Sequence, residues 1–308
     1  MKEHNLVEEE IYGFNVTVQR KKVWKIELDM VKEFVSICSK NGLTYFASGG
    51  TLLGAIRHNG FIPWDDDVDL MMPRKDYEKF LQIAPGLLPK NYFLQHNGSE
   101  KFYLNGHAQI RNNDTTCFVK GGYDDLKRGK NCGIFIDVFP YDNVPDNFKL
   151  RKKFSFRVLK LKKLIARVTH KTDSRLKQLI KRCVYAFYYS DESIEKLIRN
   201  LNSLSQKYNS KTNTVALLSF MPGYEKNVWE EKLFKNITLH DFEDIKIAIP
   251  VAYDDVLRKE FGEYMQIPKD LENGSMHGKC FFDTTKSYKE YFDISKDEYN
   301  NLIKSFEL

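Results

Sequence analysis

Residues 48–80 carry the pattern that decides the fold, and they read SGGTLLGAIRHNGFIPWDDDVDLMMPRKDYEKF. The turn at residues 48–50 leads into residues 51–58, which predict a short helix beginning at the double glycine. Within residues 65–72 an acidic run passes directly into an apolar strand. Pro73 then suits the first turn of another helix. This order of turn, helix, acidic strand and helix indicates an α/β (α+β) protein with a mixed sheet and flanking helices.

Three aspartates of the acidic run, Asp65, Asp67 and Asp69, alternate along the chain. Side chains alternate between the faces of a strand, so Asp67 and Asp69 are expected on one face, joined by Asp65 if the strand begins early enough. Carboxylates that converge in a cleft repel one another, and a divalent cation relieves that cost. Hard oxygen ligands suit Mg²⁺ or Mn²⁺, which also bind phosphates. The run therefore predicts a phosphate-handling metal site.

The glycine turn can belong to the same pocket. Gly49 and Gly50 let the backbone approach a ligand closely, and the N–H groups at a helix start favour an anion. Gly50 precedes Asp67 by 17 residues, so the helix and loop between them can return the acidic strand alongside the first one. One pocket is thus expected to hold both a phosphate and its cation.

A second strand is predicted at residues 133–139, which read GIFIDVF. Asp137 lies in the middle of this apolar stretch, where an unpaired charge would be costly. A metal shared with Asp67 and Asp69, or a role as base toward an attacking hydroxyl, would compensate it, and both remain open. A glycine turn, an acidic-apolar-acidic strand and a third carboxylate on a later strand resemble the nucleotidyltransferase superfamily.

Pro140 is expected to end this strand, and the turn-rich residues 142–146 mark a first boundary. Three segments follow from these signals. Residues 1–146 are expected to form a nucleotidyltransferase-like catalytic core, residues 147–210 a basic helical insertion, and residues 211–308 a C-terminal part that packs on the core.

The insertion holds most of the positive charge. Residues 149–182 contain 14 Lys and Arg and one acid, a net +13, so the rest of the chain sums to −7. Apolar residues recur at helical steps from Leu150 to Val168, which predicts a long amphipathic helix. A local basic stripe fits an anionic partner. A merely solvated face, docking on anionic lipid and nucleic-acid binding are the alternatives; lipid is favoured over nucleic acid, which is not expected as a partner.

Composition excludes several classes of protein. Of the 308 residues, 42% are hydrophobic and 29% charged, which excludes a disordered chain. The first ten residues have no apolar core of a signal peptide, and no run of about 18 apolar residues occurs, so no spanning helix is predicted. The five cysteines have no spacing typical of disulfide frameworks or zinc sites. The expected location is cytoplasmic, with peripheral contact at the inner face of the membrane through residues 149–182.

Three patches extend the resemblance to one family. Residues 48–80, residues 133–145 (GIFIDVFPYDNVP) and a weaker patch from Ile249 through residues 261–265 (FGEYM) to His277 resemble the LicD-type phosphocholine transferases, relatives of fukutin and fukutin-related protein. Together the patches span roughly residues 30–280. Residues 151–210 match no motif of the family.

The resemblance implies transfer of phosphocholine, or a related substituted phosphate such as a phosphopolyol, from a CDP-linked donor. The acceptor implied is a sugar hydroxyl of a cell-surface glycan (teichoic acid, lipopolysaccharide or capsule), with a lipid-linked acceptor expected. Carried over residue by residue, the resemblance implies that Gly49, Gly50 and Thr51 bind the donor phosphate. It also implies that Asp67 and Asp69, with Asp65, bind the metal and that Asp137 is the third carboxylate.

Three further residues are candidates for substrate binding. Arg57 could hold a phosphate or form a surface ion pair, and Arg111, before a turn, could contact phosphate or face solvent. His277 is a candidate through the C-terminal patch. Two other functions stay open at this point. One is a nucleotidyltransferase that moves a nucleoside monophosphate from a nucleoside triphosphate, and the other is a non-enzymatic membrane- or RNA-binding protein.

Overall fold

The structure, a computed structural model, describes residues 6–101, 103–169, 190–220, 222–268 and 280–306. Among these residues the helices are α1 (Val18–Asn41), α2 (Gly49–His58), α3 (Arg74–Ile83), α4 (Tyr123–Lys127), α5 (Phe148–Thr169), α6 (Asp191–Ser205), α7 (Tyr253–Phe261) and α8 (Lys296–Ser305). The strands are β1 (Glu9–Ile11), β2 (Phe14–Val16), β3 (Phe46–Ala47), β4 (Asp69–Pro73), β5 (Tyr92–Gln95), β6 (Ala108–Asn112), β7 (Thr116–Val119), β8 (Phe135–Val144), β9 (Thr214–Ala216), β10 (Val228–Glu230), β11 (Ile237–Phe242), β12 (Ile245–Pro250) and β13 (Cys280–Asp283). The predicted mixed α/β architecture with flanking helices is confirmed.

Contacts divide the described residues into two compact units. The first comprises residues within 6–95, 109–138 and 233–306, and the second comprises residues within 96–108 and 139–232. This division has other boundaries than the three sequence segments proposed above, and those segments stay a prediction.

The first unit contains a mixed sheet with the strand order β3–β4–β8–β6–β5. Strand β3 is antiparallel to β4, with Phe46 opposite Met71 and Ala47 opposite Leu70. The long helix α1 begins after Thr17, whose hydroxyl accepts the N–H of Arg20, and ends before Gly42. Gly42 adopts φ 61°, the left-handed conformation in which its N–H reaches the Cys38 carbonyl. Helix α2 begins at the double glycine, as predicted.

Strand β8 corrects the prediction that a strand ends at Pro140 and is followed by a turn. Residues 139–144 of β8 belong to the second unit, where Asp142 and Val144 pair with Ala216 and Thr214 of β9. Asn209 fixes this segment because its side chain donates to the Asp142 carboxylate at 2.8 Å and accepts from the backbone N–H of Asn143 at 2.7 Å. The strand continues because a partner 70 residues away supplies its hydrogen bonds.

The core of the second unit lies between α5 and α6. Phe154, Val158 and Ile165 of α5 pack against Leu197 and Leu201 of α6. The predicted amphipathic helix is thus confirmed for residues 148–169, and residues 170–182 lie outside the described part of the chain. Leu150, expected on the buried face, is 55% exposed because it lies in the first turn, ahead of Phe154, where the contribution of α5 to this core begins. No described helix is both long and apolar enough to cross a bilayer.

Candidate active site

The site begins at the glycine turn before α2. The Ser48 N–H donates to the Asp69 carbonyl at 3.0 Å, and the Thr51 hydroxyl accepts the Asp69 N–H at 2.8 Å. These two bonds fasten the start of α2 to the start of β4. Gly49 adopts φ 51°, so the turn itself requires glycine there.

The carboxylates reach this turn directly. A Cβ on Gly49 would lie 3.4 Å from an Asp69 oxygen, and a Cβ on Gly50 would lie only 2.4 Å from an Asp65 oxygen. Negative charge at the first turn of a helix is favoured by the helix dipole. The structure therefore brings Gly49 and Gly50 together with Asp65 and Asp69, and the glycines make room for these side chains.

The acidic run is a loop rather than a strand. Strand β4 begins only at Asp69, so the expectation that Asp67 and Asp69 share a strand face is wrong. A turn in which the Asp65 N–H donates to the Ile62 carbonyl at 2.9 Å folds the run back on itself. Consequently Asp65, Asp66 and Asp67 each offer a carboxylate oxygen within 4.8 Å of the others. Asp66 enters this group, which sequence reasoning did not foresee, and Asp69 lies beside it.

Electrostatics couples the loop to β4 and β8. Burial raises the pKa of Asp67 well above its usual value, and the neighbouring charges of Asp69 and Asp65 raise it further. Burial also raises the pKa of Asp69, followed by the charge of Asp137. Asp137 is 5% exposed, and its N–H donates to the Val68 carbonyl at 2.9 Å. The structure thus gathers all four aspartates predicted for the site.

The cluster also contains two glutamates, which the sequence analysis did not predict. Glu27 of α1 is 1% exposed and lines a cavity of about 20 Å³ with Asp66 and Asp67. Its pKa is raised well above the usual value, first by burial and then by the charges of Asp66 and Asp65. Glu260 of α7 lies near the Gly49 turn, and its charge contributes to the raised pKa of Asp69. The site therefore draws carboxylates from α1, the loop, β4, β8 and α7.

Helix α1 also supplies the residues that hold the acidic loop. The Arg20 guanidinium and the Trp24 indole both donate to the Asp65 carbonyl, at 2.8 and 3.0 Å. Arg20 is 6% exposed, and burial lowers its pKa although the charges of Asp66 and Asp65 oppose that shift. Arg20 is thus a buried positive charge placed against an excess of negative charge.

Arg20→Met is expected to lower the free energy of unfolding by about 3 kcal/mol, because it removes the buried partner of a carboxylate cluster. We further expect Mg²⁺ to restore part of this loss, since a cation replaces the missing positive charge. Thermal unfolding in EDTA and in Mg²⁺ measures both effects. Arg199→Met, at an exposed position of α6, is the matched control and should change little. Equal losses in both variants would contradict this assignment of Arg20.

Arg57 is not brought to the carboxylates. It occupies the last turn of α2, and ten residues of helix separate its end from its start by about 14 Å. Its guanidinium donates to the carbonyls of Tyr264 and Gln266 at 2.8 and 3.2 Å and lies over the Trp64 ring. With His58 it lines a cavity of about 390 Å³. Its role in substrate binding stays a prediction.

Arg111 lies on β6, before the predicted turn, and its donors are engaged by the protein. It donates to the side chains of Gln95 and Gln109 and, at 2.7 Å, to the Gly133 carbonyl. The guanidinium lies 4.4 Å from the centre of the Phe135 ring. The contacts that the structure gives Arg111 are therefore structural, and a phosphate contact stays a prediction. His277 lies outside the described residues.

The donor set fits a hard divalent cation. Among the described residues, the group that converges here offers carboxylate oxygens, and burial followed by the neighbouring negative charges raises the pKa values of Asp67 and Asp69. Such a set suits Mg²⁺ or Mn²⁺ rather than a soft metal, which prefers sulfur and imidazole.

Comparisons with known proteins agree with this chemistry. Residues 42–172 match the family described as LicD/FKTN/FKRP, nucleotidyltransferase domain. The lipopolysaccharide cholinephosphotransferase LicD of Haemophilus influenzae is 26% identical over 264 residues, covering 81% of this chain and 92% of the relative. The uncharacterized protein RP689 of Rickettsia prowazekii is 41% identical over 119 residues, 39% of this chain and 40% of the relative. Human ribitol 5-phosphate transferase FKRP is 53% identical over 36 residues, 12% of this chain and 7% of the relative.

The fold, the acidic site and these relatives define the class of protein: the chain is a phosphotransferase. Over residues 42–172 it resembles the LicD-type family, related to fukutin and FKRP.

Proposed function

We propose that the chain transfers phosphocholine, or a phosphopolyol such as ribitol phosphate, from a CDP-linked donor to a sugar hydroxyl of a cell-surface glycan. The observation that carries this proposal is the convergence of Asp65, Asp67, Asp69 and Asp137 at the glycine turn of α2. The relatives named above support the choice of transferred group. A lipid-linked acceptor is part of the same proposal.

Asp65 and Asp67 are the residues that we assign first to Mg²⁺ or Mn²⁺, with Asp69 beside them. A cation bound there would neutralise charge that develops on the donor phosphates. Gly49 and Gly50 leave room for the carboxylates at the start of α2, and the Thr51 hydroxyl accepts the Asp69 N–H. Arg20 and Trp24 fix the loop, so the oxygens are oriented before substrate arrives.

Asp137 is the third carboxylate of the proposed mechanism. It lies on β8, outside the group of three oxygens that converge in the loop. We assign it as the base that accepts the proton of the attacking sugar hydroxyl, while cytidine monophosphate leaves from the other side of the phosphorus. On this assignment Asp137→Asn should lose turnover and still bind the cation.

Incubation with CDP-choline, CDP-ribitol or CDP-glycerol and Mg²⁺, with cytidine monophosphate measured, tests the donor. We expect release from one conjugate to exceed the others by at least about tenfold, because a headgroup pocket distinguishes groups of different shape and charge. Mass spectrometry of a glycan product should find an added phosphocholine or phosphopolyol. An added nucleotide with release of pyrophosphate from a nucleoside triphosphate would replace this proposal with nucleotidyl transfer.

A further inference from the structure

The exposed side of α5 carries a surface that the carboxylate site does not use. At 100° per residue, six of its basic side chains fall within an arc of about 100°. We call this surface the basic face, and it consists of Lys149, Lys152, Lys153, Lys160, Lys163 and Arg167. No acidic residue occurs between residues 148 and 169. Within the part of the chain that the structure describes, none of the six forms an ion pair, so the positive charge of this face is not neutralised.

The packing of the helix fixes the direction of the basic face. Phe154, Val158 and Ile165 occupy the opposite side and are buried in the core of the second unit. Arg151 lies on that inner side as well and pairs with Glu225 at 3.0 Å. The basic face therefore cannot turn inward, and its charge is presented to whatever approaches the helix.

Apolar side chains are exposed on the same face. Phe156 lies in the middle of the basic arc and is 58% exposed, with the Lys160 ammonium 5.3 Å from the centre of its ring. Phe148, at the start of the helix, is 49% exposed, with the Lys152 ammonium 5.1 Å from the centre of its ring. Because Phe156 lies within the basic arc, a partner that contacts the lysines also meets its ring.

The combination identifies the partner by its chemistry. Lys149 and Arg167 are about 27 Å apart along the helix, and a flat anionic surface can contact both ends of that stripe at once. A lipid surface also offers an apolar layer beneath its phosphates, which Phe156 can enter while the lysine ammonium groups stay at the headgroups. A nucleic acid offers the phosphates without that layer.

We propose that the basic face of α5 docks on a membrane containing anionic lipids, with Phe156 entering the headgroup region. All residues of the basic face belong to α5, and the proposal does not depend on the proposed transfer reaction.

Flotation of the full chain with vesicles tests this proposal. We expect binding to phosphatidylcholine vesicles that contain 30% phosphatidylglycerol, weak binding to pure phosphatidylcholine, and loss of binding as NaCl rises from 50 to 500 mM. Lys160→Glu with Lys163→Glu should weaken binding at least about 20-fold, since each basic residue near the surface contributes about fivefold. Lys196→Glu with Lys304→Glu changes the net charge equally at exposed positions elsewhere and should leave binding unchanged.

The aromatic residue is tested separately. Phe156→Ser should weaken binding about fivefold at constant charge. In Phe156→Trp, fluorescence should be quenched by brominated lipids, and the same substitution at exposed Phe292 is the control. Circular dichroism of each variant confirms folding. Equal binding by both double variants, or no preference for anionic vesicles, would overturn the proposal. Tighter binding to a 30-nucleotide single strand than to vesicles would overturn it in favour of a nucleic-acid surface.

Discussion

Asp67→Asn should abolish transfer and at the same time stabilise the cation-free protein. We expect turnover to fall about 10³-fold, because the substitution removes a carboxylate from the proposed cation site where charge develops during transfer. In EDTA the melting temperature of the variant should exceed that of the wild-type chain, since the half-buried Asp67 carboxylate is repelled by the charges of Asp65, Asp66, Asp69 and Asp137. Mg²⁺ should raise the melting temperature of the wild-type chain much more than that of the variant.

The pH dependence of this stability difference has a definite sign. Folding raises the pKa of the Asp67 carboxyl above the usual 3.8. The contribution of such a group to stability is complete below its unfolded pKa, and it is lost as the pH rises through the raised, folded-state pKa. In EDTA the stability of the variant should therefore exceed that of the wild-type chain most at neutral pH, and this difference in stability should disappear toward pH 4. Thermal unfolding across this range measures it.

Asp114→Asn is the matched control, because Asp114 is exposed in the turn after β6. It should change neither turnover nor the response to Mg²⁺. If Asp67→Asn is less stable than the wild-type chain in EDTA, the inference that repulsion destabilises the cation-free cluster is wrong. Full activity of Asp67→Asn would contradict the assigned site.

Gly54→Ala is expected to have the largest effect on folding among the glycines of the motif. A Cβ at residue 54 would lie 2.4 Å from the Gly60 carbonyl oxygen, and the Gly60 N–H donates to the Gly54 carbonyl at 3.3 Å. Because both contacts involve backbone, the segment leading into the acidic loop must move. We expect the free energy of unfolding to fall by about 2–3 kcal/mol, measured by urea denaturation.

Gly86→Ala provides the control for this substitution. A Cβ at residue 86 would meet nothing within 4 Å, and its backbone is not left-handed, so alanine should leave stability unchanged or raise it by up to about 1 kcal/mol. Similar stabilities for the two variants would show that the Gly54 contact relaxes freely.

Sequence reasoning foresaw the parts of the site that local patterns specify. The start of α2 at the double glycine follows from the chemistry of glycine in turns. The closeness of Asp65 and Asp69 to the turn follows from the short segment between them. The exact path of the loop did not follow, because hydrogen bonds from Arg20 and Trp24, more than 40 residues away, determine it.

The two glutamates that the sequence analysis did not predict differ in how strongly the sequence indicates them. Glu27 lies between Trp24 and Leu28 on the apolar face of α1, and a carboxylate at a buried helical position is a signal that sequence alone offers. Glu260 gives no comparable signal, because a glutamate near the end of a charged helix is ordinary. The continuation of β8 past Pro140 was likewise hidden, since it depends on pairing with β9.

The carboxylates of the site come from residues 27 to 260, and this spread determines when the cluster can form. On the ribosome, Glu27 and the aspartates emerge long before Glu260 is synthesised. The full set of carboxylates is therefore available only after α7 has been synthesised. A divalent cation at the proposed site would act on this late step of folding, because repulsion among the carboxylates is greatest when all of them are in place.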